Sequence, residues 1–486
     1  STRNRTLFPY TTLFRSKKIL LISFFLISQI FAKDVKISLD EAISLALENN
    51  GLNKISKINL EIAEAQYQQA ISANYPSLDA VLYANRDKKD LIYQQRGTFN
   101  LSNDETAKLI GTLTGYTPPS SAVTPLQIPA DIDATAYGRD TVRGSLEMNY
   151  PLYTGGKIEA IINQAKLNKE LVKVAIIRSQ NDVTFDVKRY YYGYILTNEL
   201  HKIVDKIYKN MKFSTELAKE FLESSTTLKI NRTDYLNAKL TTSLLQSTLS
   251  KLELNRELLK NAMGNLVGLT WDDKVEISYE EKEILNQNLS LQKIIEKAYS
   301  LNPDIHQVNL AVKIKDEQIN EAQSAYYPQV GVFGSVSRTY NSYEYGYLSE
   351  DNQDTWNIGI AVKMSLFDGF KTKNTVLEKK LNKNVMDEQK ILLENAVALQ
   401  LKNEFLTSTL GYEQINILKE AVATAAENSE LNLKGFEYEM VEARDLVQSQ
   451  LTEAYIRADY LKNVHDYLLS LATIDKLIGQ KLDESF

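Results

Sequence analysis

The chain has 486 residues, of which 62 are acidic and 56 basic for a net charge of -6, and it has no cysteine. Without thiols there can be no thiolate metal site, iron–sulfur cluster, thiol nucleophile or disulfide scaffold. The acidic balance argues against a nucleic-acid partner, whose affinity would rest on basic groups over phosphates. The mean hydropathy of -0.30 is that of a water-soluble protein, yet the apolar residues are not distributed as in one.

Residues 1–16 (STRNRTLFPYTTLFRS) lie upstream of a basic pair and read as foreign or mis-joined sequence. Lys17 and Lys18 precede an apolar run from Ile19 to Phe31, with Ala32 after it. A basic start, a short apolar stretch and a small residue are the parts of a secretory signal peptide, so 17–32 is expected to be cleaved. The run is too short to span a bilayer as a helix, which takes about 20 residues. Cleavage removes five basic residues and no acidic one, taking the charge from -6 to -11. With no cysteine after the signal there is no site for a lipid anchor.

The remainder is written twice. The segment from Ile37 matches that from Leu289 at an offset of 252, which holds without a gap to Tyr75-Pro76 against Tyr327-Pro328. Leu152 to Lys157 matches Leu366 to Lys371 at an offset of 214, and Asp234, Leu240, Leu266 and Gly268 match Asp445, Leu451, Leu477 and Gly479 at 211. Such self-similarity marks a duplicated structural unit. The two repeats are 33–288 and 289–486, each reading helix, strand, loop, strand, helix, helix.

Strands are expected at about 76–85, 141–152, 328–337 and 356–366. Leu146 and Met148 alternate with Ser145, Glu147 and Asn149; Trp356, Ile358, Ile360 and Val362 alternate with Asn357, Gly359, Ala361 and Lys363. Period-two alternation puts one set on each face of a strand, and about ten residues is the length of a tilted transmembrane strand. Tyr75, Tyr150, Tyr153, Tyr327 and Phe367 stand at the ends as an interfacial aromatic girdle would. Alternation alone also fits a soluble sandwich or hairpin packed on a core.

Helices are expected at about 157–222, 234–266, 371–435 and 445–477, with shorter ones at 54–74 and 307–326. The two long segments contain no proline, and at about 1.5 Å per residue each would reach roughly 100 Å. A 3.5-type repeat kept for so many turns implies coiled-coil packing. Four lipid-facing strands cannot stand alone in a bilayer, because their edges would leave backbone groups unpaired. Two copies would make eight strands and three would make twelve; the polar alternate face favours the larger, water-holding barrel.

Taken together, the twofold repeat, Tyr-Pro leading from helix to strand, the glycine-bearing strand-to-helix exits at Gly155, Gly156 and Gly369, and the helix hairpins around Asp234 and Asp445 resemble the TolC family of outer membrane efflux proteins. The resemblance covers essentially the whole mature chain. It implies a mainly α fold with a membrane β-barrel: four strands per protomer in a shared twelve-stranded trimeric barrel, plus a long α-helical coiled-coil periplasmic tunnel. The expected location is the cell outer membrane with a large periplasmic portion. The expected partners are two further copies, outer membrane lipid, a periplasmic adaptor protein and an inner-membrane transporter, with no nucleic acid. The expected function is export of small molecules or proteins, as in efflux or type I secretion. The segments 86–140 and 338–354 would be extracellular loops.

In the family, acidic residues just after the hairpin turns line the narrowest ring, which places Asp445 and Asp234 at the pore. The alternative is that each serves its own helix start, where an acidic side chain is favoured. Arg444 and Arg232 beside them are candidate gate latches or solvated charges. The family's glycine six residues before each tip Asp is Leu228 or Glu439 here, and the second tip acid is Gln448, which bears on adaptor docking and cation selectivity. Leu146, Met148, Trp356, Ile358, Ile360 and Val362 are the expected lipid-facing set. No catalytic constellation, metal site or cofactor motif is visible, so no enzyme is expected. The alternative function is a periplasmic coiled-coil adaptor or scaffold that never enters the membrane.

Overall fold

A computed structural model describes residues 34–224, 232–279, 284, 289–341, 353–438 and 440–481; the expected upstream segment and signal peptide lie outside them. The first repeat opens with β1 (Asp34–Ile37), α1 (Leu39–Asn49) and α2 (Gly51–Ser72). Ser38 starts α1 with a reciprocal cap: its backbone N–H donates to the Glu41 carboxylate at 2.9 Å, and the Glu41 N–H donates back to its hydroxyl. These bonds satisfy donors a helix start leaves orphaned, and they hold the Glu41 carboxyl below its ordinary pKa. Asn50 then breaks the path between α1 and α2, and its side chain accepts from the Leu52 N–H at 2.8 Å.

After β2 (Ser77–Arg86), the segment read from sequence as a long loop is folded. It contains β3 (Leu91–Gln95), β4 (Thr98–Leu101), α3 (Asn103–Thr114), β5 (Leu126–Pro129) and β6 (Ile132–Tyr137), with β3 paired to β6 and β4 to β5. The chain returns through β7 (Asp140–Tyr153), α4 (Lys157–Ser224), α5 (Arg232–Leu266) and β8 (Lys274–Ile277), which pairs in parallel with β1. The second repeat follows as α6 (Leu291–Leu301), α7 (Pro303–Gln323), β9 (Gln329–Asn341), β10 (Asp354–Lys363), α8 (Lys371–Glu437) and α9 (Ala443–Ile478). The helices α4 and α8 run 68 and 67 residues, about 100 Å each.

The sequence offsets hold in three dimensions. Lys169 of α4 pairs with Glu64 of α2 at 3.2 Å, and at their repeat positions Lys383 of α8 pairs with Asp316 of α7 at 2.6 Å. Ala42, Val183 and Met263 of the first buried cluster correspond to Ile294, Val397 and Ile474 of the second. Asn50 donates to the Leu266 carbonyl at 3.4 Å, and Asn302 donates to the Leu477 carbonyl at 2.7 Å. Each repeat thus ties its short first helices to the end of its last helix by the same means. The tyrosine cluster midway along α4 belongs to this waist: Tyr191 and Tyr194 are buried in the first core, and the Tyr191 hydroxyl donates to the Ser278 carbonyl at 2.9 Å.

Candidate functional site: sheet face, helix exits and hairpin tip

Four strands form one antiparallel sheet in the order β10-β9-β7-β2. Its register aligns the alternating residues into two unlike faces. Leu78 opposes Met148, Ala80 opposes Leu146, Leu146 opposes Val336, and Val336 opposes Trp356. Ile358, Ile360 and Val362 continue that row along β10. Most of this face is open: Trp356 is 75% exposed, Ile360 69% and Leu82 80%, while Met148 is half-buried. An apolar face this broad is far beyond the scattered exposed residues of a soluble surface.

The opposite face carries Asp79, Arg143, Glu147, Asn149, Asn357 and Lys363. It is laced by side-chain hydrogen bonds, among them Ser145 donating to Glu147 and Asn357 donating to Ser335, both at 2.9 Å. Each hairpin is closed at its far end by an ion pair at repeat-equivalent positions: Arg86 with Asp140 at 3.3 Å, and Arg338 with Asp354 through two contacts, one of them Nε to Oδ1 at 2.6 Å.

At the other end the strands pass into the long helices through residues in the left-handed region. Gly155 and Gly156 have φ of 66° and 86°; Gly369 and Phe370 have 67° and 66°. That conformation costs a side-chain-bearing residue about 1–2 kcal/mol, so Phe370 is strained where Gly156 is not. Each exit is capped from the residue before it. The Ile158 N–H donates to the Thr154 hydroxyl at 3.2 Å, and the Thr372 N–H donates to Asp368 at 2.8 Å. The Thr372 hydroxyl and N–H together hold the Asp368 carboxyl below its usual range.

At the hairpin tip, α8 ends and α9 begins within a few residues. The Met440 N–H returns to the Gly435 carbonyl at 2.7 Å, and Val441 packs so closely on Gly435 that a Cβ there would lie 2.5 Å from its Cγ2. Asp445 lies in the first turn of α9 and is exposed; the position before the helix is Glu442, which makes no side-chain cap. Arg444 reaches Asp445 at 3.5 Å and Glu442 at 3.3 Å, all within one turn. Asp234 lies half-buried in the first turn of α5, two residues after exposed Arg232. Leu228 and Glu439 lie outside the described residues, and Gln448 is exposed, donating to Thr452 at 3.4 Å. Among the described residues no group of His, Asp and Glu is arranged to hold a metal, and no helix is long and apolar enough to cross a membrane.

Comparison with known proteins agrees with this geometry. Residues 294–480 match the family model described as outer membrane efflux protein. A stretch of 80 residues is 35% identical to the outer membrane efflux protein BepC of Brucella suis; it spans 16% of this chain and 16% of that protein. The CmeC outer membrane channel of Campylobacter jejuni superposes with a TM-score of 0.71 at 15% identity, covering 92% of this chain and 87% of that one. The outer membrane protein VceC of Vibrio cholerae superposes with a TM-score of 0.69 at 15% identity, covering 92% and 97%. By sequence, residues 294–480 match the outer membrane efflux protein family, and over nine-tenths of its length the chain has the fold of these outer membrane channels.

Proposed function

We propose that three copies of the chain form a passive outer membrane duct that carries small molecules or proteins out of the cell. The observation that supports it best is the sheet: one exposed apolar face, one polar face and two open edges, joined directly to helices about 100 Å long. In lipid an open edge leaves backbone groups unpaired at several kcal/mol each. A closed ring of three sheets removes every edge and gives twelve strands, an even number wide enough for a lumen. Leu146, Met148, Trp356, Ile358, Ile360 and Val362 then face lipid, while Glu147, Asn149, Asn357 and Lys363 line water.

The helices form the periplasmic tunnel, and Asp445 and Asp234 recur by threefold symmetry at its tip. Such a ring of like charges attracts cations and resists tight closure. Arg444, clasped between Glu442 and Asp445, tempers that charge within its own turn. A periplasmic adaptor and an inner-membrane transporter are the partners expected at this end; the pump rather than the duct selects the cargo. A periplasmic scaffold that never enters the membrane is not favoured, because its β-domain would have to leave the apolar face in water.

Fractionation tests the reading. The expressed protein is expected in the outer membrane pellet, running as a heat-sensitive trimer in mild detergent; a soluble monomer overturns it.

A further inference from the structure

The two hairpins of the sheet carry different chemistry on its polar face, and the difference meets at one spot. We infer that each copy offers a contact there for a small apolar cation in transit, made by the ring of Phe333 with the carboxylates of Glu147 and Asp79. This rests on the reading above that the polar face lines water.

Phe333 breaks the pattern of its own strand. On this face β9 also carries Gly331, Ser335, Ser337 and Thr339, all small or polar, and Phe333 is the one aromatic residue among them. Directly across from it on β10 stands Gly359. A Cβ added to Gly359 would lie 2.7 Å from the ring's Cζ and 3.0 Å from its Cε1. The outer edge of the ring therefore rests on bare backbone, where a side chain would push it away. Covering a strand glycine with an aromatic ring helps to hold a sheet. It also fixes the ring against the wall, where Phe333 stays 41% exposed and presents apolar surface that a cargo molecule can cover.

Negative charge stands beside the ring. The row of Phe333 continues across the sheet to Asn149 and Ser77, and the neighbouring row runs Asn357, Ser335, Glu147 and Asp79. Glu147 is thus the diagonal neighbour of Phe333, about 7–8 Å away and within reach of an aromatic side chain. Asp79 and Glu147 oppose each other directly. Like charges so placed destabilise a strand pair, and a cation between them relieves the repulsion. Their row holds no basic residue: Arg143 is two rows beyond Glu147 on β7, and Lys363 two rows beyond Gly359 on β10, each about 14 Å off along its strand. An apolar cation can therefore lay its apolar part on Phe333 and keep its charge near two carboxylates, and the ring face itself attracts a cation.

The repeat shows that neither half of this contact comes with the fold. At the positions equivalent to Phe333 and Gly359 the first hairpin has Val81 and Ser145, which also pair. At those equivalent to Asp79 and Glu147 the second hairpin has Gly331 and Ala361, which pair in turn. The ring belongs to one repeat and the acids to the other, and the pairing of β7 with β9 sets them side by side.

The cysteine-free chain permits a direct test. Asn149→Cys places a single thiol beside Phe333, and in isolated outer membranes its rate of modification by a polar methanethiosulfonate reagent reports access from water. Tetraphenylphosphonium is expected to slow that rate several-fold. Tetramethylammonium, which lacks the apolar surface, and tetraphenylborate, which has the same shape with the opposite charge, are expected to leave it nearly unchanged. Adding Phe333→Ser is expected to abolish the protection, Phe333→Tyr to retain it, and Glu147→Gln to weaken it several-fold. Protection that survives Phe333→Ser, or that tetraphenylborate gives equally, overturns the contact and leaves the duct standing. A thiol at position 149 that stays unmodified without any protectant, yet reacts once the protein is unfolded, lies outside the lumen and overturns the reading of the polar face as well.

Discussion

The two helix exits solve one backbone problem with different side chains. Gly155 must turn at φ 66° directly against Ser324 and Tyr327. An added Cβ therefore brings both a left-handed penalty and a clash with backbone, so Gly155→Ala is expected to cost about 2–3 kcal/mol. A lowered heat-dissociation midpoint of the trimer would report it. Phe370, by contrast, adopts φ 66° although it is not glycine, and its ring stacks edge-on with Phe367 at 5.6 Å. Phe370→Gly relieves about 1–2 kcal/mol of backbone strain and removes an aromatic pair worth about 0.5–1.5 kcal/mol. Its net change is expected to lie within about 1 kcal/mol in the same assay. The glycines at 155, 156 and 369 were legible in the sequence as exits. The strain at Phe370 was not, because only the repeat alignment marks it as the partner of Gly156. Asp445 shows a similar limit: its place after the turn was readable, but its exposed first-turn position and its clasp by Arg444 depend on where α9 begins.

Among the elements, α4 is the spine, packing on α2, α5, α7 and α9. Its contact with α9 is held by charge: Lys188 meets Asp475 at 2.5 Å with both side chains largely buried, and the next residue of α9, Lys476, meets Asp182 of α4 at 2.7 Å. Breaking a buried pair from one side leaves the other charge desolvated. Lys188→Met is accordingly expected to lower stability by about 3 kcal/mol, and adding Asp475→Leu to recover most of it; thermal unfolding by circular dichroism would read both. The long helices were legible because their periodicity runs for many residues with no proline to interrupt it, and the four sheet strands because their alternation extends over 10 to 14 residues. The elements between β2 and β7 were not. Leu91–Gln95 and Thr98–Leu101 are short, exposed along nearly their whole length and pair with residues 25 to 46 positions away, so no inside-outside pattern betrays them. The parallel pair β1 and β8, separated by most of a repeat, escaped for another reason: each is 4 residues long, and although β8 alternates exposed and buried side chains, the pattern ends before it can be read.

In the proposed trimer the protomer would be an open segment of a ring, and properties of the pore would belong to the ring. Asp445 is exposed in one chain; threefold repetition would bring its carboxylate close to two others. Asp445→Ala is expected to weaken block of single-channel current by divalent cations, and unchanged block would take Asp445 out of the pore. The duplication itself could be read from the offsets alone, whereas the expectation of more than one copy came from the open edges of four lipid-facing strands.

The strand tails that stop at Lys363 and Arg86 also bear on how the protein is made. In the proposed trimer a newly exported copy would present two unfinished hydrogen-bonding borders, and such borders pair with whatever extended chain they meet. Its hazard is therefore a matter of waiting time: the interval between export and the arrival of two sister chains sets how much material reaches the membrane, however durable the finished ring. Two copies would close one joint and still leave two borders open, and the third would close the remaining two joints at once, so the last chain to arrive brings most of the protection.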